Sequence, residues 1–155
     1  MLPLEPSGIT GSCAFVDLET TGLDPESDAI IEIAVVVVNT STKEHSGLVT
    51  LVNPGRPLSK FIVDLTGIND EMLSKAPTQE ILTVYFDLIG DRTICAYNAK
   101  FDMAFLSAAA RRLGRRFENK SYCIMEMVRG RHPGLRSYKL NDVCAAFGIS
   151  AEGNY

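Results

Sequence analysis

No apolar run in this chain reaches the ~20 residues that a bilayer-spanning helix requires, so a helical membrane protein is excluded. The first 12 residues carry neither a basic head nor a long apolar core. That excludes a secretory signal and reads as a loose leader ahead of one domain over residues 13–155. The four cysteines, Cys13, Cys95, Cys123 and Cys144, contain no Cys-x-x-Cys pair and lie in apolar surroundings. Reduced, buried thiols in a cytoplasmic protein are the reading this favours. A Gly-x-Gly-x-x-Gly turn and a phosphate-loop lysine motif are both missing, which removes a glycine-turn nucleotide binder. Repeats, low-complexity tracts and linkers are absent too.

What is there suits one globular domain: 155 residues, 46% hydrophobic and 22% charged, enough for a sizeable core. The net charge of −4 argues weakly against nucleic acid, but it hides an asymmetry. Residues 1–91 hold 4 Lys/Arg against 14 Asp/Glu, whereas residues 92–155 hold 11 against 5. One reading is an acidic site facing a basic rim. The other, for Arg111, Arg112, Arg115 and Arg116, is a solvated helix face.

Residues 13–16 read as a buried strand that ends in two carboxylates, Asp17 and Glu19. Alternate residues of an extended chain share a face, so the two acids point the same way. Side by side they repel unless a cation sits between them. An acidic surface turn and a divalent-metal site of oxygen ligands are both compatible with the pair. Thr20-Thr21-Gly22 directly after it favours the metal site, because glycine lets backbone approach a ligand closely.

Further along, residues 29–38 form a second strand too continuously apolar for a solvent-facing edge, and 45–52 a third. Together with the first they suggest a meander on one side of the sheet. Glu32 interrupts the second strand, where a structural partner or a place near the metal site is open. Residues 59–89 are helical with breaks, followed by a short buried strand at 93–97, the grammar of a parallel pair. Within residues 77–89, Ile81, Leu82, Tyr85, Leu88 and Ile89 make the apolar face.

Asn98 is placed to cap a helix over 99–113, which Gly114 stops. On that helix Asp102, Phe105, Leu106, Ala109 and Leu113 fall on one stripe, so a carboxylate shares the core-facing side. Such a group needs a cation or several donors, and a cap or salt bridge serves as well as a metal. Residues 122–127 read as a strand running into a helix, 129–137 as a basic loop, and 139–147 as a last amphipathic helix.

These stretches together resemble the DEDD superfamily of 3′–5′ exonucleases, particularly its bacterial proofreading branch. Phe15-Val16-Asp17-Leu18-Glu19-Thr20-Thr21-Gly22-Leu23 matches the first motif. Residues 66–72 with Ala76-Pro77 match the middle stretch, residues 98–106 the second motif, and 138–148 the helix before the third. The resemblance implies a ribonuclease-H-like α/β fold: a mixed sheet of about five strands, one antiparallel, with helices on both faces. It implies two Mg²⁺ or Mn²⁺ ions held by Asp17, Glu19 and Asp102, hydrolysing terminal phosphodiesters. It also places Thr20, Thr21, Gly22, Leu23, Asn98 and Phe101 around the terminal nucleotide. The expected partners are single-stranded or frayed 3′ ends and a polymerase or other replication or repair protein, with no membrane.

The family's third motif supplies a fourth Asp and a His or Tyr. Neither His45 nor His132 corresponds to that residue, both reading as loop or surface positions; Tyr155 stands where the motif begins. Tyr97 occupies a position where many relatives carry His. The domain over 13–155 is therefore expected to be C-terminally incomplete, and the chain as it stands to bind metal weakly and cut poorly, if at all. A non-catalytic nucleic-acid-binding module on the same fold is the alternative, explaining both the missing motif and the basic C-terminal half. An aspartyl-phosphate phosphohydrolase also opens on a strand with two acids, but it needs Asp where Glu19 stands.

Overall fold

A computed structural model of the chain describes residues 9 and 11–150. Most of the expected leader, and Tyr155, lie outside the described residues. Five strands form one sheet: β1 (Ser12–Thr20), β2 (Ile30–Asn39), β3 (His45–Leu51), β4 (Thr93–Ala96) and β5 (Ser121–Cys123), in the order β3-β2-β1-β4-β5. β2 pairs antiparallel with β1 and β3, while β1–β4 and β4–β5 are parallel. One strand, β2, thus opposes the other four, as expected for the fold class. The β1–β2–β3 meander also appears where the short polar turns predict it.

The helices are α1 (Lys60–Thr66), α2 (Asp70–Ser74), α3 (Leu82–Ile89), α4 (Ala99–Arg112), α5 (Ile124–Arg131) and α6 (Leu140–Ala146), with a 3₁₀ turn at Gln79–Ile81. Local chemistry sets their ends. The Ser59 hydroxyl accepts from the Ile62 amide to start α1, and Gly67 ends it at φ 75°, a left-handed value suited to glycine. Asn69 caps α2 by accepting from the Met72 amide at 3.0 Å. No helix among the described residues is long and apolar enough to cross a membrane.

Alternation along the strands divides the apolar residues between two faces. Ala14, Val16 and Leu18 of β1 join Ile33 and Val35 of β2 against Leu82, Phe86 and Ile89 of α3 and Phe105, Leu106 and Ala109 of α4. On the other face Ile31 packs with Ile62, Ile68 and Leu73 from the α1–α2 region. Ile31 reaches that side because β2 carries an extra residue: Glu19 lies opposite Glu32, but Thr20 opposite Ile30. This bulge turns the strand end and faces Ile30 and Ile31 to opposite sides.

Several expectations change. β1 does not stop at Val16 but runs through both acids to Thr20. It begins at Ser12, paired with Asn39, and the Gly11 carbonyl accepts from Thr40, so residues 11 and 12 are no loose leader. Phe86 joins the buried face of α3. Arg129 to Arg131 belong to α5 and not to a loop, because Val128 buries itself and holds that turn helical. All four cysteines are free; Cys13 and Cys95 are buried, Cys123 and Cys144 half-buried. His132 caps the end of α5 half-buried, its ring edge-on to Phe147, rather than lying free in a loop.

The arginines near the end of α4 are committed within the molecule. Arg111 pairs with Glu26 at 2.6 Å, Arg115 with Asp87, and Arg116 with Glu118. Arg112 donates to the Pro25 carbonyl at 2.6 Å and the Glu26 carbonyl at 2.8 Å. They pin the β1–β2 connection and neighbouring loops to α4 instead of forming a free basic rim.

Candidate active site

Asp17 and Glu19 project from β1 on the side opposite Val16 and Leu18, which are buried in the main core. β4 runs parallel to β1, so the chain leaving Ala96 enters α4 beside the carboxyl end of β1. Asp102 lies in the first turn of α4 and is 5% exposed. A two-residue period and a 3.6-residue period therefore deliver three acids to one end of the sheet.

Their ionisation records this proximity. Asp102 is pushed up from 3.8 to about 7, first by burial, then by the charge of Asp17, with its own amide pulling the other way and Glu19 adding to the rise. Burial raises Glu19, reinforced by Asp17 and Glu32. Asp17 keeps solvent access, yet the surrounding protein still raises its carboxyl, partly offset by the Leu18 amide. Glu32, directly across the sheet from Glu19, is raised by burial and by Asp17. No basic side chain pairs with any of these four carboxylates among the described residues.

Among the described residues Glu32 thus has no cationic partner, and it stands with the acids. The sequence marks it only as a charge interrupting an apolar strand; its place follows from the pairing register. No group of three or more Asp, Glu, His or Cys side chains among the described residues is arranged to hold a metal ion. The three predicted acids are nonetheless near enough to perturb one another. Hard carboxylate oxygens with unrelieved mutual repulsion suit Mg²⁺ or Mn²⁺, which keep waters and accept substrate oxygens as ligands.

Beside Glu19 opens a cavity of about 330 Å³. Thr20, Thr21, Gly22, Leu23 and Phe101 line it. Leu23 is 85% exposed and so is no core residue. Phe101 packs its ring 4.9 Å from that of Phe105, which fixes it at the cavity wall. The Thr20 hydroxyl donates to the Gly22 carbonyl at 2.6 Å, tightening the turn. Asn98 is not gathered here. It is exposed at the N-cap of α4 and its side chain makes no capping bond; its carbonyl accepts from the Phe101 amide at 2.9 Å.

Phe61 and Leu65 complete the cavity and were not anticipated. They stand 70% and 67% exposed on α1, one turn apart, on a face that does not serve the core. Two large apolar residues at i, i+4 beside the buried Ile62 were the available signal. Tyr97, in the position noted for its departure from His, donates its hydroxyl to the Tyr138 carbonyl at 2.6 Å.

Comparison with known proteins gives the family and the fold. A family profile described as Exonuclease (RNase_T) matches residues 14–154. The chain is 34% identical over 144 residues to the DNA polymerase III PolC-type protein of Caldanaerobacter subterraneus subsp. tengcongensis, covering 92% of this chain and 10% of that protein. It is 31% identical over 156 residues to the DNA polymerase III subunit epsilon of Aquifex aeolicus, covering 98% and 76% respectively. The chain therefore spans only a small part of its PolC-type relatives. Among solved structures, exonuclease X in complex with 5′ overhanging duplex DNA superposes with a TM-score of 0.72 at 24% identity, over 92% of this chain and 76% of that one. Product-bound exonuclease I gives 0.78 at 19% identity, over 91% and 39%. At these identities the two structures attest the fold.

Proposed function

The chain belongs to the RNase_T family of DEDD-type exonucleases, and on that footing we propose that it removes nucleotides from the 3′ ends of single-stranded or frayed DNA. The observation that carries the reading is the meeting of Asp17, Glu19 and the buried Asp102 at one end of the sheet, beside a cavity sized for a nucleotide. Asp17, Glu19 and Asp102 would hold two Mg²⁺ or Mn²⁺ ions. Such ions, when bound, activate a water and stabilise the leaving 3′-oxygen of an in-line displacement.

The chain's own groups do the placing. Phe101, Leu23, Phe61 and Leu65 offer apolar surface to a terminal base and sugar. Thr21, Gly22 and Leu23 line the cavity together with Glu19. Terminal cutting requires a strand end splayed from its complement, which favours single-stranded or frayed termini. Names of the relatives, all DNA polymerase III proteins, support DNA as substrate and a polymerase as partner.

Direction of attack tests the reading. A 5′-labelled linear oligonucleotide with Mn²⁺ should shorten stepwise from its 3′ end, while the circular form of the same strand stays intact. Equal loss of the circular strand would replace an exonuclease with an endonuclease.

A further inference from the structure

The wall of the nucleotide cavity is braced from behind by two residues that do not touch the acids. Thr21 Oγ1 donates to Asp28 Oδ1 at 2.9 Å and accepts from the Ala29 amide at 3.0 Å. Arg56 Nη2 reaches both, at 2.7 Å from Thr21 Oγ1 and 2.9 Å from Asp28 Oδ1. The other Asp28 oxygen accepts from the Asp24 amide at 3.1 Å. The Thr21 amide itself donates to the Ala29 carbonyl at 2.9 Å.

Gly22 lies directly against this carboxylate: a Cβ built there collides with Oδ1, Oδ2 and Cγ of Asp28. Its φ is not in the left-handed region, so the position demands glycine for space and not for backbone freedom. Asp28 is thus clamped between the back of the loop and Arg56, its side chain 21% exposed against 46% for the arginine. Four hydrogen bonds at Thr21 and one close contact at Gly22 fix two residues that also line the cavity.

We infer that Asp28 and Arg56 are positioning residues that hold the Thr21–Leu23 loop in the shape that receives the terminal nucleotide. This rests on the nuclease reading for its ligand. Neither residue contacts the nucleotide; they act through Thr21 and Gly22, setting the wall's shape before binding.

The geometry separates positioning from simple electrostatics. Arg56→Met removes a positive charge and Asp28→Asn a negative one, so a long-range effect on an anionic ligand would move affinity in opposite directions. Loss of the brace weakens binding in both. The probe is thymidine 5′-monophosphate with Ca²⁺, its dissociation constant measured by calorimetry on the full chain, with amide hydrogen exchange over residues 21–23.

Both variants should raise the dissociation constant about tenfold, ~1.4 kcal/mol, and speed exchange in residues 21–23 while the exchange of β1 and β2 stays unchanged. Arg56→Lys, which keeps one charged donor, should recover most of the affinity. Gly22→Ala should weaken binding alone yet add little in an Asp28→Ala background, where the collision is gone. Opposite shifts in the two charge variants, or affinities within twofold of wild type, would overturn the brace alone. Wild-type protein that binds neither the nucleotide nor a 3′-ended oligonucleotide would overturn the nuclease reading and the brace with it.

Discussion

Replacing Asp102 by Asn should stabilise the metal-free protein at pH 8. Asp102 titrates near 7 in the folded chain, against 3.8 as its ordinary value. Between those values the folded state keeps a proton that the unfolded state has released. Stability therefore falls as pH rises across this window, and the full cost is present above pH 7. The displacement corresponds to about 4 kcal/mol. Asn escapes that cost but presents an NH₂ in place of one acceptor oxygen, worth roughly 1–2 kcal/mol if unpaired. A net gain of about 2 kcal/mol at pH 8 is expected, vanishing near pH 5 and turning into a loss of about 1 kcal/mol near pH 4. Urea denaturation in chelator at both pH values reads it directly, as a higher midpoint with unchanged slope. An Asn variant no more stable than wild type at pH 8 would refute the claim that Asp102 is a buried acid strained by its neighbours. With Mg²⁺ added, the order should reverse, because a cation favours the ionised carboxylate.

Two further predictions concern the scaffold. Phe105→Ala should cost about 3–5 kcal/mol, since that ring is fully buried between α4 and the sheet; a loss under 1 kcal/mol in denaturant melts would contradict the packing. Tyr97→Phe should cost about 1 kcal/mol through its bond to the Tyr138 carbonyl, with faster exchange in residues 133–139 as the local sign; unchanged exchange there would deny the tether.

Much of the site was legible because short periods carry it. Asp17 and Glu19 share a strand face by alternation, and Asp102 falls on an apolar helical stripe whatever the fold's details. The mixed sheet follows from strands joined first by short turns and then through helices. Less accessible was anything set by pairing register. Glu32 reaches the acids because the regular β1–β2 register sets it opposite Glu19, and one residue's slip would have turned it away. Similarly, the arginines of α4 look like a free basic face in sequence because their acidic partners are up to 85 positions away. Asn98 stood at the right cap position, but whether its side chain bonds depends on backbone angles that sequence does not fix.

The central claim is that Asp17, Glu19 and Asp102 together form a divalent-metal nuclease site. It is tested most directly by incubating a 5′-labelled single-stranded DNA with Mn²⁺ and either wild-type protein or Asp17→Ala. The account predicts a ladder that shortens from the 3′ end, disappears with chelator, and is lost at least a hundredfold in the variant. An unchanged ladder in Asp17→Ala, or strand binding that ignores both the variant and the metal, would contradict it and leave a nucleic-acid-binding module on this fold.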